Sequence, residues 1–325
     1  MLKYEYSPML KNAVLRYQEY LISCDRWRES SEESLHYFDK FCEKRFDTSR
    51  CITQQMVDAW FTKFETEKIN SCIARVCPVR ALLIYMNAQG MSNVEIPALP
   101  KFTKDYVDHH YYTEEELAAF FSVCDNMTEI KTKTISGKNL RMTIPVFFRF
   151  LYSSGIRIYE ARMLKRKEVD LVSGIVTVGT AKGGIQHYIV LHDSMLSIMN
   201  TYNTAIEKLY PEREYFFPGT GKTPYLTKYC IQHQYQKIWS RVGKGHSVLY
   251  DFRHNYAIEN INSWDNDVES FSKLVYLSKS MGHTNLKSTM YYYHYTSHLA
   301  SMLAEKTEEN FNKMLPEVDY EDFTS

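Results

Sequence analysis

Four short segments of this 325-residue chain hold residue types that could transfer a phosphoryl group. In chain order they read LYSSGIRIYEARML, TAKGGIQHYIVL, YDFRHNYAIENI and MGHTNLKSTMYYYHYT. Such chemistry needs cations for the non-bridging phosphate oxygens, an in-line nucleophile and an acid for the leaving oxygen. Arginine suits the first role because its planar guanidinium can bind two phosphate oxygens at once.

The first two segments offer an arginine and a lysine. Gly155 ends one predicted helix, Arg157 begins the next, and Glu160 follows one turn later, where its carboxylate could hold the arginine. Lys182 lies in the glycine-rich turn of a predicted β-hairpin, from which it could reach a DNA groove and donate a proton. Taken singly, each segment is better explained as a surface arginine or a solvated turn lysine.

The third segment starts a predicted helix with Arg253, which has Tyr250 one turn before it and His254 beside it. A helix N-terminus and an arginine both attract phosphate. In the fourth segment, Gly282 and His283 end a helix and a run of tyrosines follows. Three consecutive aromatic residues cannot all face one core, so at least one points elsewhere; partial burial with the hydroxyls in water is the alternative.

The order and spacing of these segments resemble the tyrosine recombinase (phage-integrase) family over about residues 111–300. That family shows Gly-x-Arg-x-x-Glu, a hairpin lysine, His-x-x-Arg-His, Leu-Gly-His, and a tyrosine nine residues after that last histidine. The matching positions here are Arg157, Lys182, Arg253, His283 and Tyr292, and His294 completes the Tyr-x-His ending. Glu160 and His254 are expected to support them.

Two positions depart from the family pattern. Tyr250 stands where the family usually has histidine, and Met281 replaces leucine. A tyrosine can donate a hydrogen bond to phosphate, but its reference pKa of about 10 makes it a poor acid–base group near neutral pH. We therefore expect Tyr250 to bind phosphate within the same reaction class.

The resemblance implies site-specific recombination of double-stranded DNA, for the integration, excision or transposition of a mobile element. Tyr292 would form a 3′-phosphotyrosine, Arg157 and Arg253 would stabilise the transition state, and His283 would add a hydrogen bond. Lys182 would protonate the departing 5′ oxygen. No metal or other cofactor is implied. A tetramer on DNA is expected, with residues 298–314 docking on a neighbouring protomer and accessory DNA-bending or directionality factors possible.

Two other functions stay open on the sequence. One is a type IB topoisomerase-like enzyme, which uses similar chemistry. The other is a non-catalytic DNA-binding protein on the same fold. The four helices ahead of the catalytic segments favour a recombinase over the first, and the presence of the arginines, lysine and tyrosine disfavours the second.

The elements that must position these residues are mainly helical, with a small β-hairpin or sheet. Helical periodicity predicts four helices in residues 1–95, expected to be a core-DNA-binding domain. Residues 96–110 contain two prolines and predict a linker. Residues 111–325 are expected to form a mixed α/β catalytic domain with a C-terminal helix and an acidic tail. Because the four helices begin near residue 1, we expect the simple two-domain type.

Local signals refine the helix boundaries. Ser30 with Glu33, and Thr113 with Glu116, have the spacing of capping boxes. Pro78 lies inside the fourth helical pattern, where it is expected to kink or restart the helix.

Charge and composition restrict the class of protein. The net charge is zero, but lysine and arginine outnumber aspartate and glutamate by 19 to 8 in residues 131–254, as a phosphate-binding face requires. The seven cysteines include no CxxC pair and predict reduced thiols without a zinc site. We find no segment with the apolar length of a membrane span and no signal-peptide pattern at the start, so a cytoplasmic protein without membrane partners is expected.

Overall fold

The computed structural model describes residues 2–48, 51–103, 109–127, 132–179, 186–221, 223–243, 245–264 and 270–292. The chain forms two compact units, Met1–Val107 and Asp108–Ser325, which we call unit 1 and unit 2. Three of the sequence predictions lie outside the described residues, namely those for Lys182, His294 and residues 298–314.

Unit 1 contains four described helices, as the periodicity predicts. They are α1 (Pro8–Ser23), α2 (Glu29–Arg45), α3 (Gln54–Phe61) and α4 (Ile69–Ala88). Their apolar faces pack into one core. Its fully buried side chains include Leu10, Leu35, Phe38, Met56 and Leu82.

Two local predictions for unit 1 are wrong. Helix α2 already begins at Glu29, and its N-cap residue Arg28 makes no side-chain capping bond, so Ser30 is inside the helix. Helix α4 runs continuously through Pro78, so the expectation that the proline would restart the helix is wrong. Proline removes one backbone hydrogen bond from a helix interior, and here burial of neighbours such as Val76 and Val79 maintains the helix around it.

Within the described ranges, α4 is also the one helix long and apolar enough to cross a membrane by length and composition. The expectation that no segment has this property is therefore wrong. The core helix of a globular unit passes the same test, and α4 packs against α1, α2 and α3 through six buried residues. Its packing is that of a core helix.

Unit 2 is larger and mostly helical. The structure describes eight helices in it: α5 (Glu114–Asn126), α6 (Ile135–Ser154), α7 (Ile158–Met163), α8 (Asp193–Glu207), α9 (Lys228–Val242), α10 (Asp251–Asn262), α11 (Ser270–Ser280) and α12 (Lys287–Met290). The capping box at the start of α5 is confirmed, since Thr113 and Glu116 exchange side-chain and backbone bonds. Helix α6 packs against α8 and α10 at the centre of the unit.

A small antiparallel sheet completes the described part of unit 2. Its strands are β1 (Val169–Asp170), β2 (Ile175–Val178) and β3 (His187–Val190), in the order β1-β2-β3. The predicted pairing of β2 with β3 is confirmed, and β1 extends it. Val178 pairs with His187 and both are buried, so the inward face of the sheet carries a histidine. A mainly helical fold with a small sheet is thus confirmed.

The turn between α6 and α7 depends on Gly155. Its φ of +60° lies in the left-handed region, and its N–H caps α6 by donating to the Leu151 carbonyl. A Cβ at this position would run into the ring of Tyr256. Both the backbone conformation and the nearby Tyr256 ring therefore require glycine at position 155. The turn places Arg157 immediately before α7.

We expect Gly155→Ala to destabilise unit 2 more than Gly174→Ala. Gly174 also has a positive φ, of +72°, but a Cβ there would make only ordinary contacts. Gly174→Ala, the control, should lower the free energy of unfolding by about 1–2 kcal/mol from left-handed strain alone. Gly155→Ala should lose roughly 1–3 kcal/mol more from overpacking against Tyr256. Chemical denaturation of both variants measures the difference, and equal losses would contradict the steric role.

Candidate active site

Two arginines meet at the turn that follows α11. The Arg253 guanidinium is buried and donates through Nη2 to the Met281 carbonyl over 2.8 Å and through Nη1 to the Gly155 carbonyl. The Arg157 guanidinium donates through Nη2 to the next carbonyl, that of Gly282, over 2.6 Å. The sequence separates these arginines by almost a hundred residues, and two adjacent carbonyls bring them together.

Glu160 holds Arg157 as predicted. Its Oε1 accepts from Arg157 Nη1 over 2.7 Å, and its Oε2 accepts from the Arg157 backbone N–H over 3.1 Å. The carboxylate thus fixes both the side chain and the start of α7. One acidic group compensates Arg157, while Arg253 is held by carbonyl and imidazole acceptors.

The site concentrates positive charge where water has little access. Burial lowers the pKa of the Arg253 guanidinium; nearby Tyr250 opposes this effect, and the charge of Arg157 adds to it. The Arg253 Nε is buried and has no hydrogen-bond partner among the described residues. Two like charges close together with a spare donor favour an anion between them, because buried charges need compensation.

His283 is neutral in this environment. Burial, followed by the charges of Arg253 and Arg157, lowers the pKa of its imidazole to about 4. Its Nε2 lies 2.8 Å from Arg253 Nη2 and its Nδ1 lies 2.6 Å from Thr289 Oγ1. Because a guanidinium can only donate, Nε2 must accept and the ring proton must be on Nδ1, facing Thr289.

Tyr292 is the buried member of the two described tyrosines in the run after α12. It is 3% exposed, whereas Tyr291 is 36% exposed. Its ring stacks on His283 with centroids 6.3 Å apart. Burial raises the pKa of the Tyr292 phenol, and Arg253 opposes the rise by charge and by a hydrogen bond. The phenol is therefore protonated at rest, beside a cation that favours its ionised form.

Tyr250 and His254 lie on the same side of the site. Tyr250 precedes α10, is 40% exposed, and places its ring 5.1 Å from that of His254. His254 is buried, and burial together with His109 lowers the pKa of its imidazole to about 4. The structure thus brings together all the predicted site residues except Lys182, which lies outside the described part of the chain.

Two residues in the site were missed by the sequence predictions. His187 lies on the buried face of β3, with Nε2 3.9 Å from Glu160 Oε2, and it contributes to the low pKa of His283. Thr289 is fully buried, and its Oγ1 accepts a hydrogen bond from His283 Nδ1. The alternation of β3, which puts His187 on the same face as Ile189, was the signal available for the histidine.

Comparison with known proteins agrees with this geometry. The model of the phage integrase family matches residues 111–298, which contain all the site residues described above. The chain belongs to the phage integrase family. Within the described residues, no group of three or more His, Cys, Asp or Glu side chains could hold a metal ion.

Relatives of this phage integrase family member include named recombinases. It is 26% identical to the tyrosine recombinase XerC of Staphylococcus saprophyticus over 60% of this chain and 60% of that protein. It is 23% identical to a probable integrase/recombinase of Acholeplasma phage L2 over 74% of this chain and 75% of that protein. The match to XerC therefore spans less than two thirds of that relative.

The fold also matches a solved structure, that of a lambda integrase tetramer bound to a Holliday junction. The TM-score is 0.58 at 14% identity, over 88% of this chain and 77% of that chain. At this identity the likeness establishes the fold, which is that of the tyrosine recombinases.

We expect His283 to be neutral at pH 6, with its proton on Nδ1. Its lowered pKa places protonation near pH 4, and the bond from Arg253 occupies Nε2. Nitrogen-15 NMR of the imidazole distinguishes the two neutral tautomers from the cation, and His283→Gln identifies its signals. A charged ring at pH 6, or a proton on Nε2, would contradict the geometry.

Proposed function

We propose that this protein is a site-specific DNA recombinase that cuts and rejoins strands through a 3′-phosphotyrosine at Tyr292. The observation that carries this proposal is the buried phenol of Tyr292 beside the Arg253 guanidinium. Arg253 opposes the rise that burial causes in the pKa of this phenol. Arg157 and His283 lie in the same site. This combination provides a nucleophile and two cations in one site, as phosphoryl transfer requires.

In the proposed reaction, Arg157 and Arg253 bind the non-bridging oxygens of the scissile phosphate and stabilise the charge that develops in the transition state. Tyr292 forms an ester with the phosphorus as the bond from phosphorus to the 5′ oxygen breaks, and its phenolic proton passes to solvent water. Lys182 protonates the departing 5′ oxygen. The 5′ hydroxyl of a partner strand then attacks the ester and releases Tyr292, so the bond energy is conserved without a nucleotide or metal cofactor.

His283 must change its hydrogen bonding to take part. In the structure its Nε2 accepts from Arg253 and so cannot donate to a phosphate. A bound phosphate would place negative charge beside the ring, which favours the protonated form. The imidazolium could then donate from Nε2 to the phosphate and from Nδ1 to Thr289.

Several observations support DNA as the substrate and a multimer as the active form. Residues 131–254 are strongly basic, which fits a surface that binds a phosphate backbone. The XerC and phage relatives are named as recombinases, and the lambda integrase structure is a tetramer on a Holliday junction. We propose that a tetramer acts on double-stranded DNA in the cytoplasm and recombines a mobile element, with accessory DNA-bending or directionality factors as further partners.

We propose the domain roles that the sequence predicts. Residues 1–95 bind core DNA, residues 96–110 connect the two domains, and residues 111–325 catalyse strand cleavage and rejoining. Two experiments distinguish the alternative functions.

Relaxation of a supercoiled plasmid that lacks a target site would favour a type IB topoisomerase-like enzyme. DNA binding without any covalent adduct favours a non-catalytic protein.

We expect Tyr292→Phe to abolish the covalent protein–DNA adduct, and Tyr291→Phe to retain it. The Tyr292 hydroxyl forms a hydrogen bond with Arg253, and the phenylalanine removes the attacking oxygen while keeping the ring. The substrate is a nicked duplex taken from the DNA that flanks the gene, which traps the adduct. Assays contain EDTA, because the arginines and lysine supply the positive charge.

Adduct formation by Tyr292→Phe would show that another residue is the nucleophile. Loss of the wild-type adduct in EDTA, with recovery on adding magnesium, would show that a metal takes part in the reaction.

We also expect Tyr250→Phe to cleave more slowly than wild type with unchanged melting temperature and DNA affinity. The variant removes one donor near Arg253 and keeps the ring against His254. Loss of one transition-state donor costs about 10²–10³ in rate in a well-organised site, and we expect less because the arginines carry most of the charge. Tyr250→His should stay active. Normal single-turnover cleavage by Tyr250→Phe would remove Tyr250 from the site.

A further inference from the structure

His254 lies among four aromatic rings in the site. Its ring centroid is 3.5 Å from that of His109, 5.1 Å from Tyr250, 5.2 Å from Tyr292 and 6.2 Å from Tyr291. The Tyr292 ring meets it edge to face, with 69° between the ring planes. Because His254 is buried and in contact with Tyr292, its orientation limits where the Tyr292 ring can lie.

His109 holds the orientation of His254. The two imidazoles stack with 26° between their planes, and the His109 side chain is 14% exposed. His109 comes from the segment predicted to be a linker, yet its ring packs within the site. Its Nδ1 lies 3.0 Å from Asp251 Oδ1, so a carboxylate fixes the ring at its edge.

Asp251 is itself rigidly placed at the start of α10. Its Oδ2 accepts from the Val248 N–H over 2.8 Å and from the Ser247 hydroxyl over 3.0 Å. The Ser247 oxygen in turn lies 2.8 Å from the Tyr112 hydroxyl and 2.6 Å from the Tyr235 hydroxyl. Asp251, Ser247, Tyr112 and Tyr235 are all buried, so a continuous polar network from the core of unit 2 ends at the His109 ring.

The fold of the segment around His109 has other supports. Asn255 donates to the His110 carbonyl over 2.9 Å and accepts from the Tyr112 N–H over 2.9 Å. The His110 ring lies 2.8 Å from Glu116 and contacts Tyr112 and Trp239. The two Asn255 bonds anchor this backbone without the side chain of His109 or of His110. The His109 ring stacks on His254, whereas the His110 ring packs against Tyr112 and Trp239.

We propose that His109 is a positioning residue for Tyr292: anchored by Asp251, it stacks on His254 and so fixes the ring on which the tyrosine rests. This role depends on the proposed function, since positioning matters for in-line attack on a phosphate. Tyr292 follows the four-residue helix α12. So short an element gives its orientation little support, and side-chain packing must supply it.

Single-turnover cleavage of the nicked duplex tests the role. His109→Ala should cleave about 10–100-fold more slowly, as expected when a reacting group is misplaced by about 1 Å. Its DNA affinity should be unchanged. His109→Phe keeps a ring to stack and should recover most of the rate. His110→Ala, the matched control, removes the neighbouring imidazole and its carboxylate contact and should cleave as wild type does.

A second measurement needs no DNA. With 3-fluorotyrosine encoded at position 292, the ¹⁹F resonance should shift and broaden in His109→Ala and stay unchanged in His110→Ala. If His109→Ala does not fold, His109→Asn takes its place, because asparagine can still bond Asp251 but has no ring to stack.

The outcomes separate the two proposals. Absence of any wild-type adduct would overturn the proposed function, and the ¹⁹F spectra would still decide the role of His109. Wild-type cleavage rates in a folded His109→Ala protein, or identical ¹⁹F resonances in all variants, would overturn the positioning role alone.

Discussion

The buried guanidinium of Arg253 is the constraint around which unit 2 is arranged. A buried charge without partners would cost several kcal/mol, and here three acceptors surround it: the carbonyls of Gly155 and Met281 and the Nε2 of His283. These acceptors come from two separate parts of the chain, the turn at Gly155 and the turn after α11. The left-handed turn at Gly155 and the turn after α11 therefore have to present their carbonyls to one point, and both arginines follow from that arrangement.

The ends of helices supply most of the site. The last carbonyls of a helix have no partner within it and carry partial negative charge. The carbonyls at the ends of α6 and α11 use this capacity to hold Arg253 and Arg157. Arg157 itself precedes α7, and Tyr292 follows α12. The ends of helices thus bring two arginines and Tyr292 close together in unit 2.

Burial sets the resting state of every titratable group in the site that shows a shift. It lowers the pKa of His254 and of His283 to about 4 and raises the pKa of Tyr292. The histidines are therefore neutral and the phenol is protonated until a negative ligand arrives. A negative ligand beside these rings would favour the imidazolium form, because a nearby opposite charge stabilises it.

The sequence by itself determined the residue types, the helix pattern, the hairpin and the family, because periodicity, capping signals and motif spacing are local properties. It misjudged Pro78 and Ser30, where packing outweighed local preference. Only the tertiary structure decided that Arg157 and Arg253 share one turn, that His187 faces Glu160, and that His109 stacks on His254. Those contacts join residues far apart in the chain, so no local pattern records them; they exist only once the helices have packed.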